Sequence, residues 1–177
     1  MPESSWVDVE YFDERWKERI KHMVALFPAP QDNSGLTIAD FGCGEMWLKE
    51  FCPSNTNYIG VDYKKRAADT ITVDFNKYEF PDIEADIAFV SGCLEYIEDP
   101  EWFIKKIAGM CQTIVMSYSS MEHSPDLQFR EVRMWKNHLY CNELIEIVEK
   151  NGFVLLEHGI SIKNTQIFRF DKMHRTE

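Results

Sequence analysis

Long apolar runs are missing from this chain. None approaches the ~20 residues that a membrane-crossing helix needs, so no membrane span is expected. The start, Met1-Pro-Glu-Ser-Ser-Trp, has neither a basic segment nor an apolar stretch behind it, which is not the pattern of a secretory leader. Cysteines number five, an odd count, and none form a Cys-x-x-Cys pair. A zinc site would need such spacing, so no metal is expected. Cys43, Cys93 and Cys111 lie inside or beside apolar runs and read as reduced, buried thiols of a cytoplasmic protein. Positive charge is also scarce: 19 Lys and Arg stand against 30 Asp and Glu, a net charge of −11. The one basic cluster, Lys64-Lys-Arg66, is far from the basic stripe that nucleic-acid binders show, which argues against DNA or RNA as partners. Repeats and low-complexity segments are absent. What remains is 177 residues, 45% apolar and 14% aromatic, enough for one domain with a real core.

The most informative stretch is Leu36-Thr-Ile-Ala-Asp-Phe-Gly-Cys-Gly-Glu-Met46. An apolar run ends in Asp40, then Gly42 and Gly44 precede a segment able to start a helix. A buried strand that ends in a glycine turn is nucleotide-site geometry, because a ligand can lie against a backbone without Cβ atoms. A second run, Tyr58-Ile-Gly-Val-Asp62, places a carboxylate near the ~20-residue spacing at which such folds reach ribose hydroxyls. A dinucleotide fingerprint wants a third glycine, and counting from Gly42 that position holds the bulky Trp47. No Gly-Lys-Ser/Thr ending supports a phosphate-binding loop either. A ligand with adenosine but no phosphate fits better, and S-adenosylmethionine is one.

These motifs resemble those of the class I S-adenosylmethionine-dependent methyltransferases. Asp40-Phe-Gly-Cys-Gly44 resembles the family's first motif and Gly60-Val-Asp62 its second. Val73-Asp-Phe75 resembles the adenine-holding segment after strand three. Ala85-Asp-Ile-Ala-Phe-Val-Ser-Gly-Cys-Leu-Glu-Tyr-Ile-Glu-Asp-Pro100 resembles strand four and its loop. The likeness runs from about Leu36 to Phe170. Two positions depart from it: Met46 stands at the third glycine of the first motif, and Tyr96 where a histidine is usual.

The resemblance implies an α/β fold: a Rossmann-like three-layer α/β/α sandwich. Its seven-stranded sheet would be mostly parallel with an antiparallel edge strand. The whole chain, 1–177, then forms one domain, with 1–30 as an N-terminal cover helix, 36–170 as the cofactor-binding core and 119–140 as a substrate cover. Apolar periodicity predicts helices over Val7–Phe27, Asp99–Ala108 and Cys141–Lys150, the last with Leu144, Ile145 and Val148 facing inward. Short apolar segments predict strands at Thr37–Phe41, Tyr58–Asp62, Thr70–Val73, Ala85–Val90, Gln112–Ser117, Val154–Leu156 and Thr165–Phe170. Little room is left for helices around strands two to four, and Pro81 argues against one. The thinly covered face is a candidate surface for a protein partner, although covering loops are the plainer reading.

Carried over by resemblance, the cofactor residues are Asp40, Gly42 and Gly44 at the first motif and Asp62 with Tyr63 at the second. Asp74, Phe75, Gly92 and Leu94 complete them. Methyl transfer needs positioning above all, and a base only where the acceptor keeps its proton. His123, His138 and Tyr118 are the catalytic candidates. Arg15, Glu95, Tyr96, Arg130 and Arg133 are the substrate candidates, the arginines for a carboxylate or phosphate. The acceptor expected is a small molecule, anionic or sugar-linked, with S-adenosylhomocysteine as the second product. The alternative is a non-catalytic module of the same fold that binds a protein.

Overall fold

The computed structural model describes residues 13–29 and 35–173. Seven strands form one sheet: β1 (Thr37–Phe41), β2 (Asn57–Asp62), β3 (Ile71–Thr72), β4 (Ile87–Val90), β5 (Thr113–Tyr118), β6 (Phe153–Ile160) and β7 (Gln166–Lys172). Their order is β3-β2-β1-β4-β5-β7-β6. β1 to β5 pair in parallel, and β7 runs antiparallel to both β5 and β6. The reversed strand is thus last but one. β6, three residues expected at Val154–Leu156, continues to Ile160 because its partner β7 is long enough to pair with it to that end, across a bulge between Leu155 and Glu157.

Side-chain alternation splits the core in two. Ile38, Phe89, Val115 and Ile167 face one layer, where they join Ile20 and Met23 of helix α1 (Trp16–Val24). Ala39, Phe41, Ala88, Val90, Ile114 and Met116 face the other layer. There they meet helices α2 (Pro100–Met110) and α4 (Cys141–Lys150). α1 is shorter than the expected Val7–Phe27, and residues 7–12 of that expectation lie outside the described residues. α2 starts as its Asp-Pro sequence predicts: the Asp99 carboxylate accepts the Trp102 N–H at 3.0 Å and Pro100 opens the helix. α4 buries Leu144, Ile147 and Val148, so Ile147 rather than Ile145 completes its stripe.

Two connections differ from a full sandwich. The glycine turn after β1 leads into a 3-10 turn, Trp47–Glu50, instead of an α-helix. Pro53 lies three residues on, and the residue before a proline is turned away from helical backbone. Between β3 and β4 there is only another short turn, Phe75–Lys77. Rings take the place of the missing helix. Phe41, Phe75, Phe80 and Phe103 lie with centroids 4.9 to 6.4 Å apart, and Trp102 extends the group to Tyr78.

That cluster should behave as core. Phe103→Ala, at a fully buried position touching three other rings, is expected to cost about 3–5 kcal/mol in urea unfolding. Tyr78→Ala, at the exposed end of the same cluster, should cost less than about 1 kcal/mol.

Candidate functional site

The strand order reverses between β1 and β4, the place where open parallel sheets bind ligands beyond their carboxyl ends. A cleft of about 1330 Å³ opens there. Gly42 leaves β1 at φ +74°, and a Cβ on it would come within 2.7 Å of the Cys93 Cβ. The loops after β1 and β4 therefore touch, and glycine is demanded by the protein's own packing as well as by φ. The Gly42 and Cys43 N–H groups both donate to Val61 O, at 2.8 and 3.1 Å. Met46, at the third glycine position, keeps that position's left-handed backbone with φ 55°.

On the β1–β3 side the cleft is acidic. The buried Asp62 accepts Gly44 N–H at 2.9 Å on one oxygen and Lys64 N–H at 3.0 Å on the other, with Arg66 Nε at 3.4 Å. Its carboxylate thus shapes the glycine loop. Asp40 is buried and accepts the Tyr58 hydroxyl at 2.7 Å. Burial lifts its carboxyl to about 7; the Tyr58 hydrogen bond opposes this and the Asp62 charge adds to it. Tyr63, Asp74 and Phe75 line the same wall. Asn76 ties the two halves together: its Nδ2 donates to Tyr96 O at 3.0 Å and its Oδ1 accepts Glu98 N–H at 2.9 Å.

On the other side, Gly92 has φ +64°, and a Cβ there would lie 2.7 Å from Nη2 of Arg19. Arg19 reaches down from α1 and donates through Nε to Ser91 Oγ at 3.1 Å. Glu95 is 2% exposed. Its Oε1 accepts Ser119 N–H at 3.0 Å and its backbone carbonyl accepts Lys136 N–H at 2.7 Å. Tyr96 accepts the indole N–H of Trp135. Arg133 lies over the Phe129 ring, 4.2 Å from its centroid, at the mouth of the cleft, where His123 and Arg15 also stand.

Segment 119–140, expected to cover a substrate, is held by a buried guanidinium. Arg130 is fully buried in α3 (Leu127–Val132), a helix that the polar sequence of 119–140 did not suggest. Its Nε donates to His138 Nδ1 at 2.9 Å. Nη1 donates to the carbonyls of Ser119 (2.7 Å) and Ser124 (3.2 Å), and Nη2 to Tyr118 Oη (3.2 Å) and Asn137 O (3.0 Å). Tyr118 in turn donates to Asn137 Oδ1 at 2.6 Å, and Asn137 Nδ2 donates to Leu94 O and Ile97 O at 2.7 and 2.8 Å.

Four expected site residues are corrected by this arrangement. Arg130 has no N–H left for a substrate anion. Tyr118 is fully buried, because β5 runs through it and the alternation Ile114, Met116, Tyr118 turns it into the core. The His138 Nδ1 lone pair is taken by Arg130, and the ring stands outside the cleft. Leu94 is core and also lies off the cleft wall. Asp40, Gly42, Gly44, Asp62, Tyr63 and Asp74 are brought together on the wall. So are Phe75, Gly92, Glu95 and Tyr96, and Arg15, His123 and Arg133 rim it. Arg15 is 68% exposed and paired with Asp13. Sequence reasoning missed Arg19, whose signal was its place at i+3 in the stripe Trp16, Ile20, Met23, where an apolar residue is ordinary. It also missed Asn137, which carried no signal.

The family model described as methyltransferase domain matches residues 10–158. Among solved structures, a chain of the Haloferax volcanii complex containing the Trm112 methyltransferase activator superposes with a TM-score of 0.74 at 16% identity, covering 93% of this chain and 92% of that one. The magnesium protoporphyrin IX methyltransferase of Synechocystis PCC 6803, with bound S-adenosylhomocysteine, gives 0.71 at 14% identity, covering 98% and 90%. The 1,6-didemethyltoxoflavin-N1-methyltransferase of Burkholderia thailandensis gives 0.66 at 11% identity, covering 92% and 80%. At such identities the likeness is one of fold. No curated protein matches the sequence.

The two arginines of segment 119–140 should separate cleanly. Arg130→Ala orphans buried carbonyls and is expected to cost about 3 kcal/mol or more in chemical unfolding. Arg133→Ala, at an exposed position, should stay within about 0.5 kcal/mol of the parent.

Proposed function

We propose that this chain, which belongs to the methyltransferase domain family, transfers a methyl group from S-adenosylmethionine to a small molecule. S-adenosylhomocysteine is the second product. The observation that carries the reading is the pair of left-handed glycine turns, Gly42 and Gly92, on adjacent strands at the reversal of strand order, with the buried Asp62 beside them.

The residues fit this cofactor better than a nucleotide phosphate. Asp40, Glu45, Asp62 and Asp74 all line the β1–β3 side, where Arg66 is the cation on the wall and Lys77, off the wall, pairs with Asp74 at 3.2 Å. An ammonium and a sulfonium are attracted there, and a pyrophosphate would be repelled. In this reading Asp62, with Tyr63 beside it, takes the ribose hydroxyls. The Asp74–Phe75 turn takes the adenine. Gly42, Gly44 and Gly92 let the methionyl part approach the backbone. Arg19 adds the cation for its carboxylate, since its Nη1 and Nη2 make no hydrogen bond among the described residues. Bound there, the cofactor supplies an electrophilic methyl carbon.

The chain supplies position and dryness on the other side. Arg133 and Arg15 at the mouth suit an acceptor that carries an anionic group, with Tyr96 and Trp135 as its apolar wall. His123 is the one histidine candidate that stands at the cleft. A second reading, a non-catalytic module for a protein partner, draws on the exposed Val154, Leu156 and Ile160 of β6 and on the Haloferax complex with an activator. The open cleft favours the enzyme.

Calorimetric titration tests the reading. S-adenosylmethionine and S-adenosylhomocysteine are expected to bind with micromolar Kd, and NADH not at all. Asp62→Ala should weaken both sulfur ligands at least about tenfold, the scale of losing a charge-assisted hydrogen bond. A folded protein that binds neither would sink the proposal.

Asp40 adds a pH dependence. Its carboxyl loses its proton near pH 7, and a cationic ligand draws the ionised form. S-adenosylmethionine affinity should therefore rise from pH 6 to pH 8, more steeply than that of the uncharged-sulfur product. Asp40→Asn should flatten the rise, as read by titration at several pH values.

A further inference from the structure

The loop that leaves β4 carries a buried carboxyl group with one oxygen unmatched. One oxygen of Glu95 accepts the Ser119 N–H, but the other, Oε2, is buried and has no hydrogen-bond partner among the described residues. Arg19 does not close on it: no ion pair within 4.0 Å joins the two, although each feels the other's charge. Buried polar atoms are nearly always satisfied, so an idle carboxylate oxygen on a cleft wall asks for a ligand group. A carboxylate oxygen accepts, so that group must donate: an O–H or an N–H.

What surrounds Glu95 narrows the donor's carrier. Tyr96 and Trp135 stand beside it, bonded to each other, and Phe129 meets Trp135 edge-on with centroids 6.0 Å apart. Val132, 79% exposed, continues this apolar wall towards the mouth. Arg133 lies at its outer end over Phe129, with no carboxylate paired to it among the described residues. An aromatic wall with a carboxylate at its inner end and a guanidinium at its outer end fits a flat ring carrying a donor at one side and an anion at the other.

We propose that Glu95 is the proton acceptor of this site, and that its substrate is an aromatic acid whose hydroxyl or amine faces Glu95 while its carboxylate meets Arg133. This rests on the methyl-transfer reading. The lone pair of the acceptor oxygen or nitrogen forms the new bond to the methyl carbon. The carbon–sulfur bond breaks with its pair left on sulfur, and the acceptor's proton passes to Glu95 Oε2. The sulfonium and carboxylate charges are both lost in that step. Burial raises the Glu95 carboxyl above its ordinary range, with the Arg19 charge and the Ser119 hydrogen bond opposing, and a carboxylate so placed is a stronger base than an exposed one.

Three probes on one ring test this: 4-hydroxybenzoate, 4-aminobenzoate and 4-mercaptobenzoate, each incubated with S-adenosylmethionine and read by mass spectrometry. An aryl thiol ionises unaided and needs no base. The parent protein is expected to methylate the hydroxy or amino probe. Glu95→Gln should lower kcat on that probe at least about 100-fold. It should change transfer to the thiol, and the Kd for S-adenosylhomocysteine, by less than about threefold. Arg133→Ala should raise KM for the carboxylate probes and leave KM for plain phenol unmoved. Equal loss on the thiol probe would make Glu95 a merely structural residue and overturn the proposal. So would transfer to neither the oxygen nor the nitrogen probe by protein that binds S-adenosylhomocysteine. Failure to bind that product would instead fall on the cofactor reading. Should Glu95→Gln not fold, the parent's own kcat profile decides: an acidic limb on the hydroxy or amino probe that is missing on the thiol supports Glu95, and identical profiles exclude it.

Discussion

A guanidinium sealed inside the protein, with no carboxylate paired to it among the described residues, holds this cleft together. Among the described residues no carboxylate pairs with Arg130; it is solvated by carbonyl oxygens, a phenol and an imidazole, with the Trp135 ring 4.7 Å away. Taking such a charge out of water costs several kcal/mol unless every N–H finds an acceptor, and here every one does. The consequence reaches well beyond α3. Tyr118 and Asn137 are fixed by the same knot, and Asn137 carries it to the carbonyls of Leu94 and Ile97 on either side of Glu95 and Tyr96. The segment 119–140 is therefore continuous with the loop after β4 rather than a separate cover resting on it.

Charge is divided across the cleft in a way the net charge of −11 does not suggest. Around the Gly42–Gly44 turn the charged residues of the lining are acidic but for Arg66. Across from it stand Arg15, Arg19, Arg133, Lys136 and Lys163, facing Asp13, Glu95, Glu98 and Asp126. Several of those cations are already spent: Lys136 on Glu98, and Lys163 and Arg15 on Asp13. Among the described residues Arg19 and Arg133 are left without a paired carboxylate, one deep and one at the rim. A ligand pair with cationic charge on one side and anionic charge on the other meets complementary walls.

Much of this was legible in the sequence, and the reasons differ by element. The β1 turn could be read because glycine spacing after an apolar run reports a backbone conformation directly, and both Gly42 and Gly44 take positive φ. α2 and α4 could be read because caps and apolar period agree. The cover could not. Arg130 looks like a solvent arginine in a polar segment, and only three-dimensional closure supplies its acceptors. Tyr118 was misread by one residue of strand length: ending β5 at Ser117 puts Tyr118 in a loop, whereas extending it by one residue turns the ring into the core. Glu95 was seen as a substrate residue, but its idle oxygen is a fact about packing and no sequence pattern encodes it.

The two walls that enclose Glu95 are held with unequal force. The inner wall is stitched by the Arg130 knot, whose members are buried and multiply bonded. The opposite wall is α1, which brings Arg19. Ile20 and Met23 anchor that helix on the sheet, but its ties to the β6–β7 turn are Asp13 to Lys163 at 3.1 Å and His22 to Ser161 at 2.8 Å. Lys163 is 53% exposed and His22 44%, so water screens the one charge and competes for the other hydrogen bond, although Asp13 is itself buried. A buried carboxylate faced by a strongly held aromatic wall and a weakly tethered arginine can keep its acceptor geometry fixed while the cationic side adjusts. That asymmetry reconciles a sealed, unpaired Glu95 with a cleft wide enough to take two ligands.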